Sequence, residues 1–264
     1  MADAWIDTLL ARIDAWTPGF STKLEGASEE ELVEFERALG RALPDELRTF
    51  STRMGREHGG LIGYGPELRF DIASLIEHAR DEAHAPPNVF CVAGAPDPDY
   101  MAIYVDQRQR VDAAPLVRLG VIDGTMVSYP EHSSLAAMLF GFAFITQCLP
   151  RYDYGVSLRS SGVRSPSFPN SSPRHSAADS PRGTWLPHFR WIAEQLGFID
   201  LPGSGPWWAC VEREDAAMML FEAPGHAPDV RVAARERKGF SNLVELLSDN
   251  LDLNAHPGTL RQPP

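Results

Sequence analysis

The stretch GASEEELVEFERALGRALPDELRTF, residues 26–50, decides how the chain is read. Ser28 is followed three residues later by Glu31, the spacing of a capping box: the serine side chain takes an N–H of the first helical turn, and the glutamate reaches back to the serine's own N–H. Leu32, Phe35 and Leu39 then recur three and four residues apart, which places them on one helix face, and Gly40 supplies the stop. Pro44 suits the first turn of a following helix, where its fixed φ is helical and its missing N–H is not needed. Asp45 and Glu46 complement the positive end of that helix, and Leu47, Phe50 and Met54 form its apolar stripe up to Gly55. Two capped helices joined by a tightly specified turn are predicted.

Toward the N-terminus, Trp5, Leu9, Ile13 and Trp16 keep helical spacing and stop before Pro18-Gly19, so three helices open the chain. Beyond Gly60 the pattern changes to short apolar runs punctuated by glycine: residues 61–64, 68–70, 89–92, 101–105, 116–122 and 126–129. Asp123-Gly124 between the last two is a hairpin signal, because a two-residue turn of this type needs positive φ at both positions. Helices near residues 72–83 and 134–147 interrupt and close this series. The expectation is an α+β domain over residues 1–150 with a mostly antiparallel sheet behind N-terminal helices.

Residues 157–183 hold nine serines and four prolines among 27 residues, too little apolar surface to offset the entropy of ordering. Residues 151–183 are therefore expected to be a linker. Residues 184–264 read as a small α+β module: a helix carrying Trp185, Phe189, Ile192 and Leu196, strands near 207–212, 217–222 and 230–234, and a last helix with Leu243, Leu246, Leu247 and Leu251.

Of the 264 residues, 24 are Lys or Arg and 36 are Asp or Glu, for a net charge of −12. Residues 1–150 carry −11 of it (12 basic against 23 acidic), residues 151–183 carry +3 and residues 184–264 carry −4. Such a field repels nucleic acid and anionic lipid and steers a basic partner inward. The longest apolar stretch, Leu135 to Ile145, is too short to cross a bilayer, which takes roughly 20 residues. The first residues, Met1-Ala2-Asp3-Ala4-Trp5, place acid where a secretory leader wants base. Cys91, Cys148 and Cys210 are odd in number and lack CxxC spacing, so they read as buried thiols of a reducing compartment. A cytoplasmic protein with no membrane partner and no cofactor is expected.

The order Gly26-Ala27-Ser28, Phe35-Glu36, Leu39-Gly40, Leu43-Pro44-Asp45-Glu46-Leu47 and Phe50 resembles the SUKH superfamily, whose hallmark runs fE..lG..LP.eLr.f before a glycine-rich approach to the first strand. Asp97 to Asp106, Leu116-Val117 and Tyr129-Pro130 are similar to the family's later strands, so the resemblance spans about residues 1–147. One departure is visible: Met54-Gly55-Arg56-Glu57-His58-Gly59-Gly60 stands where many members have Asn-Gly-Gly. The resemblance implies a binding scaffold without catalysis. Bacterial relatives are immunity proteins that neutralise a cognate protein toxin, often a nuclease. Eukaryotic relatives are regulatory scaffolds, which is the alternative reading.

Within the motif, Phe35, Glu36, Gly40, Leu43, Pro44 and Leu47 read mainly as structural. Asp97, Asp99, Tyr100, Asp106 and Glu131 are the expected partner-binding face, since exposed acids beside a tyrosine suit a basic toxin surface. Of Trp207 and Trp208, which face opposite ways along a strand, one is expected in the core; Trp208 joins the binding candidates. The templates of catalysis fail. His78 and His84 are six apart, Gly203-Ser204-Gly205 lacks the spacing of a nucleophile elbow, and Gly63-Tyr64-Gly65-Pro66 is no dinucleotide loop.

Overall fold

The computed structural model describes residues 4–62, 68–81, 88–94, 102–108, 114–122, 125–160, 185–222, 228–255 and 261. The chain divides into two compact units, Met1–Thr146 and Gln147–Pro264, and the fold class is α+β.

Unit 1 opens with α1 (Ala4–Trp16), a 3-10 turn (Phe20–Lys23), β1 (Leu24–Glu25), α2 (Glu29–Leu39), α3 (Asp45–Met54) and β2 (Glu57–His58). β1 and β2 pair antiparallel, Leu24 opposite His58. The turn after α3 thus supplies a strand. α4 (Ile72–Asp81) leads into β3 (Val89–Ala93), β4 (Ile103–Asp106), β5 (Leu116–Ile122) and β6 (Thr125–His132), an antiparallel meander in chain order. The pairing of Ile122 with Thr125 leaves a two-residue connection at Asp123-Gly124, whose own geometry lies outside the described residues. α5 (Leu135–Ala143) follows, capped by the Ser134 side chain on the Ala137 N–H, and runs into a π-turn (Phe144–Cys148). Residues 61–62, expected in a strand, are buried but extend no ladder, and the 68–70 run makes one bridge, Arg69 with Gly94. Ile6, Ile13, Phe20, Phe35, Leu47, Phe50 and Phe144 are fully buried. Each contributes about 1.5–3 kcal/mol by leaving water. Trp16 joins this core edge-on to Phe144, 5.9 Å between ring centres.

Unit 2 begins earlier than composition indicates. After a 3-10 turn (Leu149–Arg151), β7 (Tyr154–Ser160) is a strand, where a linker from residue 151 was expected. β7 lies inside the sheet, paired on one side to β11 (Asp229–Ala234) and on the other to β12 (Leu253–Ala255). The correction has a local cause: Val156 and Leu158 alternate with Ser157 and Arg159, a period-2 pattern hidden by the serine-rich run that follows. The rest of the expected linker, residues 161–183, lies outside the described residues. α6 (Trp185–Gln195), β8 (Ile199–Asp200), β9 (Trp208–Arg213) and β10 (Ala216–Phe221) precede β11, and α7 (Arg237–Leu251) precedes β12. The sheet order is β12-β7-β11-β10-β9-β8, antiparallel throughout. Its core face carries Val156, Ala209, Met218 and Val232 against Phe189 and Ile192 of α6 and Leu243 and Leu247 of α7. By alternation, Trp208, Cys210, Glu212, Met219 and Ala233 share the other face.

Candidate functional site

The motif of residues 26–50 resolves into a set of interlocking local contacts. Ser28 Oγ accepts the Glu31 N–H at 3.3 Å, and Glu31 Oε2 accepts the Ser28 N–H at 2.7 Å, completing the expected box. Gly40 ends α2 at φ 69°, in the left-handed region where a side chain is strained. Glu36 turns back over the connection: its Oε1 accepts the Leu43 N–H at 3.0 Å and pairs with Arg48 Nη1 at 2.9 Å. Pro44 stands at the N-cap of α3, one position earlier than expected, and donates nothing there at no cost. Phe35, Leu43 and Leu47 are buried. A side chain at Gly26 would overlap the Thr52 carbonyl, because the α3 backbone approaches closely enough for Ala27 N–H to reach Ser51 O at 2.9 Å.

Of the expected partner-binding residues, Asp106, Glu131 and Trp208 are described, and all three are buried. Asp97, Asp99 and Tyr100 lie outside the described residues. Asp106, expected exposed, is 2% exposed and accepts Arg108 Nε at 2.8 Å, Nη2 at 2.6 Å and the Arg108 N–H at 3.0 Å. These bonds hold its carboxyl below the ordinary range, against the opposing effect of burial. Glu131, also expected exposed, makes a two-pronged pair with Arg118, both bonds 2.9 Å, with each side chain 8% exposed. A register shift between Leu116 and Val117 leaves Glu131 as the extra residue of β6 in that ladder. Trp208 is buried, edge-on to Phe221 at 6.0 Å; Trp207 is the half-buried member of the pair. Both carboxylates leave water with an arginine bonded to them, the half-exposed Arg108 for Asp106 and the buried Arg118 for Glu131.

Among the described residues of unit 1, exposed acid is found on the opening helices and on β1. Asp7, Glu25 and Glu29 are more than half exposed and are bridged to Arg53, Arg56 and Arg48 respectively; Glu34 pairs with Arg80. Such surface pairs add about 0–1 kcal/mol each to stability. Glu29, Glu30, Val33, Glu34 and Arg37 share the outer side of α2, around a Val33 that is 42% exposed. The unit boundary also sharpens the charge division. Residues 1–146 hold 12 basic and 23 acidic residues and residues 147–264 hold 12 and 13, so the acid excess belongs to unit 1.

Unit 2 contains a polar cluster that no spacing announced. Glu212 Oε1 on β9 accepts from Arg151 Nη1 at 2.7 Å and Tyr152 Oη at 3.3 Å, with Cys148 Sγ at 3.7 Å. Burial, joined by the Glu212 carboxylate, pushes the Cys148 thiol far up, and burial does the same to Cys210 and to the Tyr152 phenol. Both thiols are protonated and hence poor nucleophiles. The partners are some 60 residues apart in sequence, so only the alternation of β9, which turns Glu212 to the face away from the helices, hinted at the cluster. His78 Nε2 lies 3.3 Å from Tyr104 Oη; His84 is outside the described residues. Among the described residues no three His, Cys, Asp or Glu side chains come together as metal ligands, and no helix is long and apolar enough to cross a membrane.

Compared with known proteins, the chain matches no family model and no curated protein.

Proposed function

We propose that the chain is a non-catalytic binding protein of the SUKH type, an immunity protein that neutralises a cognate basic toxin, such as a nuclease domain, in the cytoplasm. The observation that carries this reading is the packing of residues 26–50. Each motif residue has a distinct mechanical role there: the Ser28–Glu31 box, the Gly40 stop, the Glu36 bond to Leu43 and the Pro44 start of α3. A chance match to a capping pattern would not need Glu36 at that position.

The outer side of α2 is the surface that supports it best. An exposed apolar residue, Val33, ringed by Glu29, Glu30 and Glu34, suits a partner whose lysines and arginines would otherwise hold phosphate. The excess of acid in unit 1 would raise the on-rate for such a partner.

The test is co-expression with the product of the neighbouring reading frame. Growth rescue and a stoichiometric complex on size exclusion are expected, with weaker binding for the Glu29→Lys/Glu30→Lys/Glu34→Lys variant and in rising salt. A folded chain that neither rescues growth nor co-elutes with that product rejects the reading.

A further inference from the structure

The sheet of unit 1 ends on β6, and its hairpin fixes which backbone groups of that strand face outward. Ile122 lies opposite Thr125 across a two-residue connection. Such a pair exchanges both of its N–H···O=C bonds, because the two residues between them are adjacent in the chain and cannot bond each other. Antiparallel ladders alternate, so Val127 and Tyr129 also spend their N–H and C=O on β5, opposite Gly120 and Arg118. Met126, Ser128 and Pro130, opposite Val121, Leu119 and Val117, are the non-hydrogen-bonded positions, and their backbone groups point away from the sheet. Pro130 costs the ladder nothing there, since the N–H it lacks would have faced outward.

Among the described residues, every other sheet edge is short or covered. β1, β2 and β8 run for two residues and β12 for three. β3 takes the Arg41 guanidinium on its Val89 carbonyl, and Gly94 just beyond it exchanges two backbone bonds of 2.9 Å with Arg69. β6 is eight residues long and, among the described residues, has β5 alone beside it. An open edge of that length is a template for another strand unless charge or a bulge blunts it. Neither does so here. Thr125 to Pro130 holds no charged residue in a chain of net charge −12, the register shift opposite Leu116 and Val117 falls beyond Pro130, and Ser128 in the middle is exposed.

We propose that β6 is a self-pairing edge, on which a second copy of this chain docks antiparallel and joins two unit 1 sheets into one. The occupant follows from the edge itself. Met126 and Ser128 each offer an N–H and a C=O, so a two-fold related copy that sets Met126 against Ser128 bonds every one of those groups and leaves Pro130 outside the new ladder. No carboxylate within Thr125–Pro130 of one copy opposes one in the other, whereas a basic partner gains nothing from an uncharged strand. Self-pairing is separate from toxin binding by the acidic side of α2, and the two respond to salt with opposite sign. Screening weakens the attraction of acid for a basic partner, and it strengthens the association of two chains that each carry −12.

The experiment is sedimentation equilibrium of the full chain from micromolar to millimolar concentration, at low and high salt, for the native protein, Ser128→Pro and Ser128→Lys. Ser128→Pro removes an N–H that β5 does not use, and Ser128→Lys keeps that N–H while bringing two like charges into the new ladder. The native chain should dimerise more tightly as salt rises, and both variants should self-associate at least about tenfold more weakly with the monomer still folded. A native chain that stays monomeric to millimolar concentration overturns the proposal, and so does a dimer that both variants retain. Should the variants not fold, amide exchange of the native chain serves instead. The N–H groups of Met126 and Ser128 are expected to gain protection as concentration rises while those of Val127 and Tyr129 are protected throughout; exchange at Met126 and Ser128 that ignores concentration overturns self-pairing.

Discussion

One carboxylate oxygen of Glu36 accepts the backbone N–H of Leu43 at 3.0 Å, seven residues on and across the turn between α2 and α3. The bond satisfies a donor that the turn would otherwise leave beside the core, and Arg48 on the same oxygen ties the first turns of α3 to the end of α2. An acid that looks superficial in sequence thereby fixes the angle between two helices.

Replacing Glu36 by Ala removes both bonds and should lower stability by about 1–3 kcal/mol. Glu36→Gln keeps an acceptor for Leu43 and loses only a half-exposed ion pair, so it should cost less than about 1 kcal/mol. Urea unfolding followed by tryptophan fluorescence measures both, and a Gln variant as unstable as the Ala variant contradicts the assignment.

Two glycines of the motif should respond to alanine for different reasons. At Gly26 a methyl group meets the backbone carbonyl of Thr52, which cannot move without shifting α3, so a loss of at least about 2 kcal/mol is expected. At Gly40 there is open space and the cost is that of the left-handed backbone at φ 69°, about 1 kcal/mol. Equal unfolding midpoints for the two variants would show that the close approach at Gly26 is not what matters.

Glu131→Ala leaves the Arg118 cation buried with its carboxylate gone and should cost about 3–5 kcal/mol. The double change Arg118→Met/Glu131→Leu removes both charges together and should be markedly milder than Glu131→Ala. A double-mutant cycle on thermal or urea unfolding gives the sign directly, and additive losses would count against a buried pair.

Glu46 sets a pH dependence. Burial raises its carboxyl above the ordinary 4.5, with the Ala136 N–H opposing in part. The folded state then holds this proton more tightly than the unfolded chain, so the contribution is fully present below about pH 4.5 and is lost as pH rises through the folded value. Glu46→Gln retains an acceptor for Ala136 and removes that loss. It should therefore unfold at higher urea than the native chain near neutral pH, with the advantage shrinking as pH falls toward 4.5; a constant difference across that range argues against burial as the cause.

How far the sequence could be read depends on the range of the interaction. The Ser28–Glu31 box, the Gly40 stop and the stripe through Leu47, Phe50 and Met54 are decided within one or two helical turns, and they stand in the structure where the spacing places them. Asp106 and Glu131 went astray because burial within a sheet cannot be read from an acid's own neighbours along the chain. A two-residue neighbour, Arg108, and a cross-strand one, Arg118, each convert an apparently exposed acid into a buried, paired one. β7 was missed for the opposite reason: seven residues of clear alternation were averaged into the serine-rich run beside them.

By itself the sequence determined the class of the fold, the three opening helices, the hairpin across Asp123-Gly124 and the concentration of acid in residues 1–150, because periodicity, capping and charge are properties of neighbours along the chain. Only the tertiary structure decided that Glu36 serves the α2–α3 turn and that Asp106, Glu131 and Trp208 belong to the interior. A buried hydrogen bond or ion pair is set by which distant groups share one desolvated place, and that meeting exists only once the chain has folded.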